Sequence, residues 1–164
     1  MPKHTISAEE ARQLLDYNPE TGYLMWRVPR RGVRPDRLAG CPRRNGYAFV
    51  FVDGKFYLAH RVAWAVHTGS WPSANIDHVN GVKSDNRWAN LRLATTVENG
   101  QNRGAPSTNT SGFKGVSRNK KRWASSIYIS RRKVHLGTFD TPEEAHAAYC
   151  KAASEHHGEF ANFG

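Results

Sequence analysis

Apolar positions along the chain change their period several times, and each change marks an element. Ser7-Ala8-Glu9-Glu10 has the form of a capping box, with Ala11, Leu14 and Leu15 recurring at helical spacing behind it, so a short helix is expected from about 8 to 16. Asn18-Pro19-Glu20-Thr21-Gly22 ends it, and "YLMWRV" (23–28) reads as a strand. Tyr47, Phe49 and Phe51 then alternate with Ala48, Val50 and Val52; Asp53-Gly54 supplies a tight turn and Phe56-Tyr57-Leu58 returns. From His60 the period becomes helical until Gly69. Ile76–Val79, the Asn80-Gly81 turn and Val82-Lys83 read as a second, shorter hairpin, followed by a packed Leu91/Leu93 pair and a short helix capped by Thr95 or Thr96 that runs through Asn99.

Beyond "NRGAPSTNTSG" (102–112), a linker by composition, the pattern is different. "GFKGVSRN", "RWASSIYIS" and "KVHLGTFD" are three β-rich segments between basic turns, which predicts a three-stranded antiparallel sheet. Thr141-Pro142-Glu143-Glu144 is another capping box, and Ala145, Ala148/Tyr149 and Ala152/Ala153 form a narrow stripe that lets the helix lie close on that sheet. The expected organisation is two small domains, 1–104 and 105–164.

Composition narrows the class. The 164 residues include 5 Trp, 6 Tyr and 7 Phe, enough to build cores. No apolar run approaches the ~20 residues of a membrane span, and "MPKHTISAEEARQLL" lacks the apolar segment of a signal peptide, so a cytoplasmic protein is expected. Cys41 and Cys150 lie far apart outside any CxxC context, which excludes a disulfide framework and a four-cysteine zinc site. The formal net charge is +10. No Asp or Glu occurs between Asn99 and Phe139, and "RVPRRGVRPDRLAGCPRR" (27–44) holds only Asp36. Two one-sign tracts exceed what solubility requires and point to a polyanion.

The candidate chemistry lies in "NIDHVNGVKSDNRWANLRLATTVEN" (75–99). A zinc site needs four nitrogen or sulfur ligands, and only His78 qualifies. Asp77 and an Asn oxygen suit a hard cation, Mg²⁺ or Mn²⁺, which keeps several waters and is completed by substrate phosphates. His78, with an ordinary pKa near ~6.5, suits a general base for phosphodiester hydrolysis. Asn90 reads as a brace for the loop. Spacing alone does not separate this from turn residues around a surface Asp–His pair.

The same stretch resembles the HNH endonuclease motif in the branch of phage and intron-encoded homing endonucleases: Asp-His, an Asn-Gly turn, Asn-Leu-Arg, then Glu-Asn. With "LAHRVAWAVHTG" before it, the similarity covers about 45–103. The resemblance implies a ββα-metal module with one divalent ion. It assigns Asp77 and Asn99 as metal ligands, His78 as general base and Asn90 as the central structural residue, with His60 a possible support of the active site. Where many HNH enzymes have His, this chain has Asn99.

Residues 111–163, with "GV", "RW", "LGTFDTPEEAHAAY" and "GEFANF" as landmarks, resemble the Apetala-two/ethylene-response-factor DNA-binding domain. That implies a sheet laid into the major groove of duplex DNA. Arg118, Lys120, Arg122, Arg131, Arg132 and Lys133 are the candidate phosphate contacts, and Trp123 and Tyr128 add flat surfaces. Tyr128 and His135 replace residues of the plant pattern, so base specificity does not carry over.

The expected protein is thus α+β: a ββα-metal nuclease module followed by a three-stranded antiparallel sheet packed on one helix. Its expected activity is metal-dependent nicking of duplex DNA by a monomer, with a double-strand break needing two copies or a second event. The alternatives are a non-catalytic DNA-binding regulator carrying a silent HNH module and an RNA-binding module, the latter disfavoured by the lack of an RNP-type aromatic motif.

Overall fold

The computed structural model describes residues 6–29 and 34–164. The start of the N-terminal stretch (1–5) and the middle of the first basic tract (30–33) lie outside the described residues. The chain divides between Leu93 and Ala94 into two compact units, each with its own core.

In the first unit, α1 (Ala8–Leu14) opens with the Ser7/Glu10 capping box. It stops two residues short of the expected end because Leu15–Tyr17 becomes β1, paired antiparallel with β2 (Leu24–Trp26). Pairing Leu15 with Trp26 and Tyr17 with Leu24 buries the Leu and Trp side chains, a gain that another half-turn of helix could not match. β3 (Cys41–Pro42), β4 (Ala48–Val52) and β5 (Lys55–Leu58) form a sheet in that order. Asp53 (φ 47°) and Gly54 (φ 80°) make the two-residue turn whose twist suits a hairpin. One face of this sheet sends Val50, Val52 and Tyr57 into the core beside Val62 and Ala63 of α2 (Ala59–Thr68). α2 ends on Gly69, whose φ of 82° supplies the left-handed cap.

The expected second hairpin is not formed. β6 (Asn75–His78) pairs with β7 (Leu91–Ala94), and residues 79–90 form a long loop ending in a 3₁₀ turn at Trp88–Asn90. The Asn-Gly signal is a real turn, with Gly81 N–H donating to the His78 carbonyl, but the strand that returns is β7, and Val82 stays about half exposed. Leu91 and Leu93 are likewise not a packed pair, since Leu91 is buried and Leu93 is exposed.

In the second unit, α3 (Thr96–Gln101) starts with a Thr95/Glu98 capping box. Residues expected as a plain linker contain an ordered turn, in which Asn109 Oδ1 accepts from the backbone of Ser111 and Gly112 and Nδ2 donates to the Phe113 carbonyl. β8 (Val116–Asn119), β9 (Arg122–Ile129) and β10 (Arg132–Phe139) form an antiparallel sheet with β9 central, and its register shifts between His135 and Gly137. α4 (Pro142–His157), opened by the Thr141/Glu144 capping box, packs on this sheet through Ala145, Tyr149, Ala152 and Ala153 against Ile127. The small stripe allows a close approach. At Gly115 (φ 78°) the chain passes so near the Tyr149 ring that a Cβ would overlap it.

Candidate active site and nucleic-acid interface

β6 ends on Asp77 and His78, both 4% exposed, and the loop behind them is held by asparagine side chains. Asn90 Oδ1 accepts from Asn80 N–H (2.9 Å) while Asn90 Nδ2 donates to the Asp85 carbonyl (2.7 Å), so one side chain ties both halves of the loop. Asn80 Nδ2 donates to Asp85 Oδ2, and Asp85 takes a two-pronged contact from Arg87 that holds its carboxyl well below the usual range.

His78 is positioned by a residue that the sequence offers only as a turn former. Its Nε2 lies 3.2 Å from Oδ1 of the buried Asn86, whose own carbonyl accepts from the Tyr17 hydroxyl at 2.7 Å. With Nε2–H donating to the amide oxygen, the neutral ring carries its lone pair on Nδ1. Burial lowers the His78 pKa most; Lys83 adds to this, and the Asn86 bond and the charges of Asp77 and Asp85 work against it. The imidazole is therefore unprotonated near neutral pH, the form a general base needs.

His60, at the start of α2, meets His78 edge-on, with ring centroids 5.0 Å apart. Burial first, then the neighbouring His78 and Arg61, pushes its pKa from 6.5 to about 3. Tyr47 lies 5.4 Å from His60 and 6.1 Å from His78, with Lys83 Nζ 4.9 Å from the Tyr47 ring. Tyr47 was legible only as one of an alternating row; its place beside two histidines was not.

Asp77 is engaged by Arg92 of β7. Arg92 Nε and Nη2 donate to Asp77 Oδ2 at 2.9 and 2.8 Å, in an ion pair almost wholly out of solvent. Arg92 belongs to the Asn-Leu-Arg landmark, yet nothing in the sequence gave it a partner. Two donors on one carboxylate oxygen fix the orientation of the group. Among the described residues no group of three His, Cys, Asp or Glu side chains is placed to hold a metal ion. Without such a group there is no closed zinc site, whereas the Asp77 carboxylate suits a sparsely coordinated hard cation that retains water. Asn99 sits on α3, within the second unit.

In that unit the strand register sorts the candidate DNA contacts. Ser125 and Ile127 point to α4, so Arg122, Ser126 and Tyr128 point the other way, with Lys133 opposite Tyr128 and Asn119 opposite Arg122. Tyr128 is 62% exposed. Arg122 also reaches Asp140 (2.7 Å), an exposed pair of small energetic weight. Trp123 has the parity of Ser125 and Ile127 and carries the Arg118 guanidinium 4.7 Å over its ring, so both lie on the helix side of the sheet. Lys120 (φ 53°) and Arg131 (φ 65°) occupy the two turns, and Arg132 is exposed at the start of β10. Cys41 and Cys150 are free thiols; Cys150 Sγ lies 3.3 Å from His146 Nε2.

This architecture, a buried Asp-His strand end followed by a strand and a capped helix, then a three-stranded sheet on one helix, is that of an HNH endonuclease domain joined to an AP2 domain. The HNH endonuclease family model matches residues 57–101 and the AP2 domain model residues 111–159. Protein 3.8 of Escherichia phage T7 is 34% identical over 115 residues, which span 66% of this chain and 94% of that protein. The chain belongs to the same family. An uncharacterised HNH endonuclease, L560 of Acanthamoeba polyphaga mimivirus, is 30% identical over 119 residues, 72% of this chain and 62% of the viral protein. No solved structure matches. HNH nucleases generally use a divalent metal ion, and both domains indicate DNA binding. Among the described residues no helix is long and apolar enough to cross a membrane.

Proposed function

We propose that this chain is a metal-dependent, homing-type endonuclease that nicks duplex DNA in the cytoplasm of a phage-infected host. The observation that carries the reading is the buried His78, tied through Nε2 to Asn86, next in sequence to Asp77, whose carboxylate Arg92 orients. Asp77 and Asn99 are the residues that would hold one Mg²⁺ or Mn²⁺, which supplies charge stabilisation at the phosphate and at the departing 3′ oxygen. His78 Nδ1 takes the proton of the attacking water as the new P–O bond forms and the bond to the 3′ oxygen breaks, and a proton from solvent completes the departing 3′-hydroxyl. The products carry 5′-phosphate and 3′-hydroxyl ends. Asn90 and Asn86 hold the loop and the ring, and the buried, neutral His60 keeps the edge of His78 in place without competing for the proton. One such site cuts one strand, so a monomer nicks.

In this reading residues 105–164 anchor the enzyme on DNA. Arg122, Tyr128 and Lys133 lie on the open face of the sheet, Lys120 and Arg131 in its turns and Arg132 at the start of β10. Arg118 reaches phosphate from the rim, while Trp123 serves as the platform under Arg118.

Purified protein with supercoiled plasmid and Mg²⁺ or Mn²⁺ should produce open circles, abolished by EDTA. His78→Ala should lower the rate by about 10²–10⁴-fold, the usual contribution of a positioned base. Absence of nicking with either ion would refute the nuclease reading, and undiminished nicking by His78→Ala would remove the assigned base.

A further inference from the structure

The sheet of β3, β4 and β5 departs from what a half-exposed sheet should look like. Its inner face is ordinary, with Val50 and Val52 almost fully buried. Its outer face, which should be polar, carries Phe51 and Phe56, each more than half exposed. They are directly opposite in register, one pair from the Asp53-Gly54 turn, and their rings lie 4.8 Å apart. The Arg43 guanidinium sits 4.9 Å over the Phe56 ring. Phe49, partly exposed, continues the row along β4 toward Tyr47, which lies beside His60 and His78.

From this we infer that the β4–β5 hairpin is a second DNA-binding element, separate from the AP2 sheet, that presses the Phe51/Phe56 pair against a base step of duplex DNA near the cleavage site. The inference rests on the nuclease reading only for where the contact falls.

Charge selects the occupant. From residue 37 to 58 the chain has Arg37, Arg43, Arg44 and Lys55 against one acid, Asp53 at the turn. Lys83 approaches the β3–β4 loop from the other side, donating to the Asn45 carbonyl at 3.2 Å. A second copy of the chain would bring the same cations face to face over one small aromatic pair, far short of the ~1,200 Å² of a stable interface. Duplex DNA supplies phosphates for the cations and flat bases for the rings, and exposed apolar side chains that unstack a base step are an established means of kinking it. This also gives the first basic tract a role that the AP2 domain leaves open. Along a strand rising ~3.3 Å per residue, Phe51 stands about 13 Å from Tyr47, which corresponds to roughly four base pairs of DNA.

The test compares binding of the full chain, without divalent ion, to a 40-base-pair duplex and to the same duplex with a one-base bulge, in which unstacking is already done. Wild-type protein should prefer the bulged duplex. Phe51→Ala/Phe56→Ala, two exposed positions whose replacement should leave the melting curve unchanged, should lose the preference and bind plain duplex at least about fivefold more weakly. Equal binding to both duplexes by the wild type, or a preference that survives the double substitution, would overturn the inference. So would a weakening explained by lost self-association in sedimentation. A plasmid that is never nicked while the bulge preference holds would refute the nuclease reading and leave this one standing. On nicked DNA, permanganate-reactive thymines should cluster about four to six base pairs from the nick, and their absence would also count against the wedge.

Discussion

At the residue scale the site is a set of groups whose protonation is decided by burial. His60 binds a proton in the folded protein only near pH 3, whereas in the unfolded chain it does so near 6.5. Between those values the unfolded state holds the extra proton, so stability falls as pH drops from about 6.5 towards 3. His78 contributes with the same sign. Urea unfolding at pH 7, 5 and 4 should show this loss, and His60→Gln should make it shallower; an unchanged pH slope would mean that His60 is not buried in its neutral form. Asp77 and His78 stand out in the sequence as candidates because their chemistry is explicit in their side chains. Asn86 and Arg92 were not. Their roles depend on contacts across eight and fifteen residues, made by a loop whose path no local signal determines. Asn86 in particular is identical, as a sequence symbol, to the turn-forming asparagines around it.

At the element scale the helices were the easiest to read, because their signals are local. Three of them begin with a Ser or Thr and a Glu three residues on, and in each both halves of the capping box are made. Strand pairing was harder. Asn80-Gly81 marks a turn but not which strand returns, and the answer lay ten residues on, where Asn90 closes the loop and Leu91 has a core to enter. The approach of α4 to its sheet gives a sharp test. Gly115→Ala adds a methyl where the Tyr149 ring already sits and forces a left-handed residue to carry a Cβ, which should cost about 3 kcal/mol of unfolding free energy measured by urea titration. Gly100→Ala, in open space on α3, should instead leave stability unchanged or raise it by up to about 1 kcal/mol. Equal effects of the two would mean that the α4 packing is looser than described.

At the scale of the whole molecule, the charge tracts announced a polyanion before any fold was known, and both modules answer to it. What charge could not convey was the state of the carboxylate proposed as a metal ligand. Asp77 is already neutralised by Arg92, so a divalent cation arriving at the free protein meets a guanidinium beside its proposed ligand. A DNA phosphate changes that balance by bringing negative charge of its own. Substrate and ion should therefore bind cooperatively, each tightening the other by the same factor. Mn²⁺ titrated calorimetrically into His78→Ala protein should bind at least about tenfold more tightly when duplex DNA is present, a coupling of about 1.4 kcal/mol. Arg92→Leu should shrink that difference by strengthening binding off DNA. If the proposed activity holds, the protein balanced in this way would circulate disarmed, and the duplex it lands on would complete the charge that lets it cut.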